Sequence, residues 1–440
     1  MTAQECRLST TASKQEISER QLVLLRQHLS YLQQASPYYR ELLLTQGFVA
    51  QEFQSLEQLP LLPLTDKSDF ALRNHDFLAV SETEVIDICQ TSGTTGEPVT
   101  IWQTENDLQR LALNEQLAFS AAGLSATDRV LICAALDRCF MAGIAYFLGL
   151  RKLGATAIRG GSGQPDLVAE LIIKQQPNVV VGVPSLLVAI ARKIQQAGID
   201  PSTCGVNKLI CIGEPIRNPD LSLAPLGVIL RDSWGAEVLG TYASTEMATA
   251  FADCSAGCGG HLLPELMLVE IIDADGQPVS DAEPGEVVVT PLGIEGTPLL
   301  RYRTGDIASL HRQPCSCGRQ TPRLGPILGR QAQMLKYRGT TLFPAAIISA
   351  LHGIEGVQGH YLEVEREFDL SDRLRVVVGS NDPTLTAERV AELIAVKTRV
   401  KPEVLLVSPQ EIIAKTIIAS CRKPVTFFDY RESDRITRRV

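Results

Sequence analysis

The 440-residue chain predicts an α/β protein: a large N-terminal domain with βαβ-type sheets plus a small β-subdomain, followed by a small α+β C-terminal domain. Three observations predict this. Between residues 91 and 240, short β-branched runs alternate with helical patterns of ten or more residues, which implies βαβ units and a largely parallel sheet. After about Glu265 the texture changes to alternating apolar runs separated by turn chemistry, as in a smaller antiparallel sheet or barrel. From Gly329 onward, short strands and helices make a further unit of domain size, so the expected domains are 1–328 and 329–440.

The elements follow in order. Residues 1–16 are polar and expected to be disordered. Ile17, Leu22, Leu25, Leu29 and Leu32 then recur close to helical spacing, predicting a helix over 17–34 that Pro37 breaks. Apolar runs at 86–89 and 99–102 flank a polar loop and predict strands. The alternation continues with strands at 130–134, 155–158, 178–181 and 208–212, and helices at 140–153, 165–175 and 185–197. Ligands of such sheets sit beyond the carboxyl ends of the strands. The β-subdomain takes in 266–272, the Asp275-Gly276 turn, 285–290 and 299–302. The last unit is built from 334–337, 344–351, 361–364, 374–378, 385–398 and 404–407.

A net charge of −9 argues against a general nucleic-acid or anionic-membrane binder, and points to small molecules and other proteins as partners. The longest apolar run, 140–150, lies between Arg138 and Arg151 and is far short of a bilayer span. With a polar opening and an odd count of 11 cysteines, the expectation is a cytoplasmic protein without a disulfide framework. A homodimer is left open.

The chemistry concentrates in three stretches. In the first, Thr91-Ser92-Gly93-Thr94-Thr95-Gly96-Glu97, two glycines permit close backbone approach and four hydroxyls can donate to phosphate oxygens. An ordinary polar hairpin turn explains the same residues equally well. In the second, Tyr242-Ala243-Ser244-Thr245-Glu246, a ring can stack on a nucleobase and a carboxylate can hold Mg²⁺; a surface turn is the alternative. In the third, Arg301-Tyr302-Arg303-Thr304-Gly305-Asp306, an Asp after a Gly turn is suited to accepting both hydroxyls of a ribose.

Taken in order with Ile210-Cys211-Ile212-Gly213-Glu214-Pro215 and the segment 329–339, these stretches resemble the adenylate-forming superfamily of acyl-CoA synthetases, luciferases and peptide-synthetase adenylation domains. Leu62-Pro63-Leu64-Thr65-Asp66-Lys67, Gly182-Val183-Pro184-Ser185, and Lys423 six residues before Asp429 are most similar to the phenylacetate-CoA ligase branch. The resemblance implies ATP, Mg²⁺ and CoA as cofactors and co-substrates, a small carboxylic acid (an aryl or arylacetic acid) as substrate, and a mobile C-terminal domain. It implies that the 91–96 loop holds the β,γ-phosphates, that Gly213, Glu214 and Pro215 line the adenine slot, and that Tyr242 stacks on the base with Ser244 beside it. Thr245 would hold the α-phosphate, Glu246 the magnesium, Asp306 the ribose, Arg330 the nucleotide from a hinge, and Lys423 would enter during adenylation. Phe140, Gly143 and Tyr146 are the implied walls of the acid pocket, although helix core packing explains each of them as well. Several positions depart from the family pattern: Glu97 for lysine, Ala243 for glycine, Ala332 and Gln333 for hinge aspartates, Ile348 for glutamate, and Arg422 for glycine. Transfer to an amine or carrier-protein thiol, or a non-catalytic zinc-stabilised nucleotide-binding scaffold, therefore stand beside CoA ligation.

Five soft or borderline ligands, Cys254, Cys258, His261, Cys315 and Cys317, fall in two Gly-containing turns and suit a structural tetrahedral zinc. Four would bind, with Cys258 and His261 competing for one place; reduced surface thiols are the alternative. Cys6, Cys89, Cys133, Cys139, Cys204, Cys211 and Cys421 are scattered and expected to be small core residues.

Overall fold

The structure, a computed structural model, describes residues 12–48, 50, 53–91, 98–337, 340–368, 371–418 and 424–431. It divides into two compact units, one of Met1–Thr304 with Ala308–Pro326, the other of Gly305–Ile307 with Ile327–Val440.

The first unit begins with helices α1 (Lys14–Ala35), α2 (Pro37–Thr45) and α3 (Lys67–Leu72). Helix α1 starts inside the stretch expected to be disordered, because Ser13 and Glu16 form a reciprocal cap: Glu16 N–H donates to Ser13 Oγ at 3.2 Å and Ser13 N–H to Glu16 Oε2 at 2.8 Å. Strands β1 (Asp87–Gln90) and β2 (Thr100–Gln103) pair antiparallel, so the polar loop at 91–99 joins the two arms of a hairpin. Helix α4 (Glu105–Ala121) follows.

The βαβ run is β3 (Arg129–Cys133), α5 (Met141–Leu153), β4 (Thr156–Arg159), α6 (Pro165–Gln175), β5 (Val179–Gly182), α7 (Pro184–Gln196), β6 (Lys208–Ile212), α8 (Pro225–Trp234) and β7 (Glu237–Ser244). Each predicted strand and helix here appears within two residues of its expected place. Strands β8 (Thr249–Asp253), β9 (Gly260–His261), β10 (Met267–Ile272), β11 (Gly285–Pro291), β12 (Tyr302–Ala308), β13 (Leu310–His311) and β14 (Arg323–Leu324) complete the series up to Pro326.

Nine strands form one sheet in the order β13-β14-β9-β8-β7-β6-β5-β3-β4. It is parallel from β7 to β4 and antiparallel from β8 to β13, so the parallel character expected of it holds for one side only. Side chains alternate between two cores. Leu131, Val180 and Leu209 pack against α6, α7 and α8 on one face, while Val130, Ile132, Val179, Val181 and Ile210 meet α4 and α5 on the other. Strands β10 and β11 pair antiparallel in a second, smaller sheet, as predicted for the β-subdomain.

The second unit holds β15 (Gly329–Arg330), the β16 (Leu335–Tyr337) and β17 (Thr340–Leu342) hairpin, α9 (Pro344–His352), β18 (His360–Phe368), β19 (Ser371–Gly379), α10 (Ala387–Thr398), β20 (Glu403–Val407), α11 (Pro409–Thr416) and β21 (Phe427–Asp429). Its mixed sheet runs β20-β19-β18-β21 over a core of Leu335, Ile347, Leu351, Leu362, Val376 and Ile394.

Candidate functional site

The parallel strands deliver the predicted site residues to their carboxyl ends. After β6 the chain turns at Gly213 with φ +74°, a backbone conformation that favours glycine. The Glu214 carboxylate then caps α7, accepting from Ser185 N at 2.9 Å and Ser185 Oγ at 2.8 Å. That pairing welds two of the recognised stretches, 182–185 and 213–215, into one surface beside Pro215.

Strand β7 ends at Ser244, and Thr245 and Glu246 open the turn that leads into β8. Tyr242 lies opposite Phe251 in the β7–β8 register, and their rings stack with centroids 6.1 Å apart. Ser244 Oγ accepts from Met247 N–H at 3.3 Å and closes the turn. The Glu246 side chain is only 9% exposed, yet it meets two donors: Tyr302 Oη at 3.2 Å and Lys67 Nζ at 3.5 Å. Lys67 is the first residue of α3, and the preceding Thr65 is stitched to the 301–303 segment by Thr65 N to Arg301 O at 3.1 Å and Arg303 N to Thr65 O at 3.0 Å. The 62–67 stretch is therefore a strap that brings a cation to the carboxylate at the end of β7. In the sequence Lys67 stands out only as the end of the 62–67 motif. Its proximity to Glu246 bridges 179 positions and leaves no local signal.

The 301–306 stretch divides its labour. Arg301 is buried and bidentate to Glu270, with both N–O distances 2.9 Å, and so is architectural. Tyr302 turns to Glu246, while Arg303 pairs with Glu286 at 2.5 Å and Asp66 at 3.5 Å. In the second unit, Gly305 takes φ +72° within β12 instead of making a turn ahead of Asp306. Asp306 lies opposite Arg330 in the β12–β15 register, with Arg330 Nε 3.3 Å from Asp306 Oδ1. Ala332 and Gln333, expected at a hinge, lie in a single 3₁₀ turn, Gln331–Gln333. Arg431 grips it, donating to Ala332 O at 3.1 Å and Met334 O at 2.8 Å while pairing with Asp429 at 2.5 Å and Asp372 at 3.4 Å.

Of the phosphate-loop residues, Thr91 is buried and its hydroxyl accepts from Val99 N–H at 2.9 Å, locking the neck of the hairpin. Ser92, Gly93, Thr94, Thr95, Gly96 and Glu97 lie outside the described residues, as do Lys423, Arg422, Cys6 and Cys421. Among the expected acid-pocket walls, Tyr146 borders a small cavity with Glu115, Ile210, Gly240, Thr241 and Ala252. Gly143 serves packing: a Cβ there would stand 2.1 Å from the Ala135 carbonyl oxygen. Phe140 directly precedes α5, in extended backbone.

At the antiparallel end of the large sheet, Cys254, His261, Cys315 and Cys317 place their ligand atoms within 4.8 Å of one another. Cys254 Sγ is 3.7 Å from Cys315 Sγ, and Cys317 Sγ is 3.5 Å from His261 Nε2. A tetrahedron with Zn–S of about 2.3 Å and Zn–N of about 2.0–2.1 Å has edges of about 3.8 and 3.6 Å, which these two separations match. His261 Nδ1 faces Thr321 Oγ1 at 2.8 Å, which leaves Nε2 for the cluster. Burial and the nearby Arg319 and Arg323 lower the His261 pKa to about 4, so its imidazole is neutral. Of the two residues expected to compete for one place, His261 lies in this cluster, while the Cys258 thiol donates to Ala256 O at 3.1 Å. Among the described cysteines outside the cluster, Cys89, Cys133 and Cys211 are buried, Cys204 is half-buried, and Cys139 is exposed rather than in the core.

A family model described as AMP-binding enzyme matches residues 21–294. The phenylacetate-coenzyme A ligase of Thermus thermophilus is 31% identical over 85% of this chain and 83% of its own. That of Escherichia coli is 31% identical over 86% and 85%. Among solved structures, 2-hydroxyisobutyryl-CoA ligase in its postadenylation state superposes with a TM-score of 0.85 at 22% identity, covering 98% of this chain and 93% of that one, and so shares the fold. With these matches lying over the strands and strap that carry Tyr242, Glu246 and Lys67, the chain belongs to the AMP-binding enzyme family.

Proposed function

We propose that the protein is an AMP-forming acid–CoA ligase. A carboxylate oxygen attacks the α-phosphorus of ATP and pyrophosphate leaves; the CoA thiolate then attacks the acyl carbon of the acyl-adenylate and AMP leaves. The observation that carries this reading is the meeting of Glu246, Lys67 and Tyr302 at the end of β7, next to Tyr242, in a chain 31% identical to phenylacetate-coenzyme A ligases. The substrate we assign is an aryl or arylacetic acid.

The first step brings two anions together, so most of the gain must come from positioning and from cations beside the phosphates. Glu246, a hard oxygen donor, would hold Mg²⁺, which neutralises phosphate charge when bound. Lys67 supplies a fixed cation on the same carboxylate and offsets the lysine replaced by Glu97. Thr245 and the 91–96 loop would hold the phosphates, Gly213, Glu214 and Pro215 the adenine edge, and Tyr242 its face. Ser244 shapes the turn, and Asp306 and Arg330 are assigned to the ribose and nucleotide. Lys423 is assigned to the adenylation step. We assign a cytoplasmic setting, the one suggested by the odd, scattered cysteines of the sequence.

We also assign a structural zinc to Cys254, His261, Cys315 and Cys317. Their spacing and the tautomer set by Thr321 support it. Bound there, zinc would cross-link the end of β8, strand β9 and the loop before β14.

The deciding experiment is an acid panel assayed for pyrophosphate release and AMP formation, with and without CoA. Release with an aryl acid, and AMP turnover that depends on CoA, is the expected result. Release without CoA dependence would favour an amine or a carrier-protein thiol as acceptor, the reading that the Ala332 and Gln333 replacements favour. ATP binding with no release for any acid would favour the scaffold.

A further inference from the structure

Glu246 is held through one of its two oxygens. Lys67 Nζ at 3.5 Å and Tyr302 Oη at 3.2 Å both meet Oε1. Among the described residues Oε2 meets no donor, so it is the oxygen left to face a metal. Where Oε2 points is then set by where Lys67 and Tyr302 stand. These two come from separate segments, the strap at 62–67 and the stretch at 300–302.

One buried phenol ties those segments together. Tyr39, the third residue of α2, is fully buried, as are Thr65 and Leu300. Thr65 Oγ1 donates its one hydrogen to Leu300 O at 2.6 Å, so in the 2.7 Å contact between Tyr39 Oη and Thr65 Oγ1 the phenol is the donor. Leu300 N–H donates back to Tyr39 Oη at 2.9 Å. The three residues thus close a ring of hydrogen bonds in which each both gives and receives. Burial pushes the Tyr39 pKa up, so the phenol keeps the proton that the ring needs.

Both donors to Glu246 hang from this ring. Lys67 lies two residues beyond Thr65, and Tyr302 two residues beyond Leu300. A parallel bridge between Thr65 and Tyr302 keeps the two segments in step. Ring packing runs the same way: Tyr39 stands edge-on to Phe77 at 5.5 Å, Phe77 meets Phe70 of α3 at 4.7 Å, and Phe70 meets Tyr302 at 6.1 Å. Apolar contacts tolerate small slips, whereas hydrogen bonds are directional and fix the register of one segment on the other. The Tyr39 hydroxyl is engaged by Thr65 and Leu300, so its effect on Glu246 passes through them.

We propose that Tyr39 is a positioning residue for adenylation: by tying Thr65 to Leu300 it sets Lys67 and Tyr302 on Glu246 Oε1, and so aims Oε2 at Mg²⁺. This rests on the acid-ligase reading and on the metal role assigned there to Glu246. Without the phenol oxygen, Leu300 N–H loses its acceptor and Thr65 Oγ1 its donor. The backbone bonds from Thr65 to Arg301 and Arg303 keep the strap attached, so the loss falls on its alignment.

The test is calorimetric. Affinity for α,β-methylene-ATP, whose carbon bridge blocks adenylation, is measured with and without Mg²⁺, well below each protein's melting temperature. The proteins are wild type, Tyr39→Phe, Thr65→Val, Thr65→Ser and Glu246→Gln. Wild type should bind more tightly with Mg²⁺, and Glu246→Gln should lose that gain. Tyr39→Phe and Thr65→Val break the ring at different points, and each should cut the gain by about 5- to 30-fold while leaving the metal-free affinity unchanged. Thr65→Ser, which keeps the hydroxyl, should hold the wild-type gain. If Tyr39→Phe does not fold, Thr65→Val against Thr65→Ser decides the matter. A full gain in Tyr39→Phe and Thr65→Val, however far their melting temperatures fall, assigns the ring to stability alone; it overturns the inference and leaves the ligase reading standing. Equal loss in Thr65→Ser and Thr65→Val also overturns it, since the hydroxyl would then not be what matters. A gain that survives in Glu246→Gln overturns the metal role of Glu246 and the inference with it. No nucleotide binding by wild type overturns the ligase reading as well.

Discussion

Glu115 illustrates what a single residue can conceal. In sequence it is one charged position among many, and the helix it belongs to, Glu105–Ala121, gives no clean apolar period because Asp107, Arg110, Asn114 and Glu115 all lie on its buried side. Each is there for a partner: Asp107 accepts from Glu295 and Gly296 N–H at 2.8 Å, Arg110 donates to Leu292 O and Ala248 O, and Asn114 accepts from Ala250 N–H at 3.1 Å. Periodicity finds helices that bury hydrocarbon, and this one buries hydrogen bonds. Glu115 also has a measurable thermodynamic signature. Burial raises its folded pKa to about 8 from the usual glutamate value of 4.5, so between those limits the folded state binds the proton and the unfolded chain does not. Stability attributable to this residue is therefore intact below about pH 4.5, falls as pH rises, and is lost above about pH 8. Tyr146 and the Arg217-paired Asp253 are the other titratable groups at the cavity, and both persist in a Glu115→Gln variant. The melting temperature of Glu115→Gln relative to wild type should thus climb steadily from pH 5 to pH 8.5. A difference that stays flat over that range would show that Glu115 is ionised at neutral pH.

At the scale of elements, the βαβ run was legible because both faces of its strands are buried and its helices are amphipathic. Runs such as Val179-Val180-Val181 have few alternatives. Less legible was the antiparallel extension of the same sheet, where β9, β13 and β14 are two residues each and too short for any pattern. What the sequence did show there was chemistry: two clusters of cysteine and histidine separated by more than 50 positions, which the pairing of His261 with Arg323 brings together. Strands this short have few ladder hydrogen bonds, so the zinc cross-link proposed for them would add to their stability. Wild type should therefore purify with close to one equivalent of zinc, and Cys254→Ser or His261→Ala should lose it and melt about 5–10 °C lower. Cys258→Ser should keep its zinc, because its thiol points to the Ala256 carbonyl. Metal analysis that finds wild type below about a tenth of an equivalent would remove the assignment, and equal loss from Cys258→Ser would reopen the choice of fourth ligand.

Over the whole molecule, the groups assigned to the first half-reaction fall on both compact units, with Lys67, Tyr242 and Glu246 on the first and Asp306, Arg330 and Lys423 on the second. Order along the chain made these stretches recognisable, but order alone could not show that Lys67 and Glu246 share a contact, nor that Arg431 holds the carbonyls of the segment where the hinge aspartates are replaced. If Lys423 acts only while negative charge builds on the α-phosphate, its removal should separate the two chemical steps. Lys423→Ala should slow pyrophosphate release by about 100- to 1,000-fold, the cost of one well-placed charge in a transition state. It should form thioester from CoA and a supplied acyl-adenylate at close to the wild-type rate, because that step expels AMP and creates no pentavalent phosphorus. Equal losses in both half-reactions would mean that Lys423 supports the second unit's structure, and full adenylation by the variant would transfer the cationic role to Lys67, which already stands 3.5 Å from Glu246.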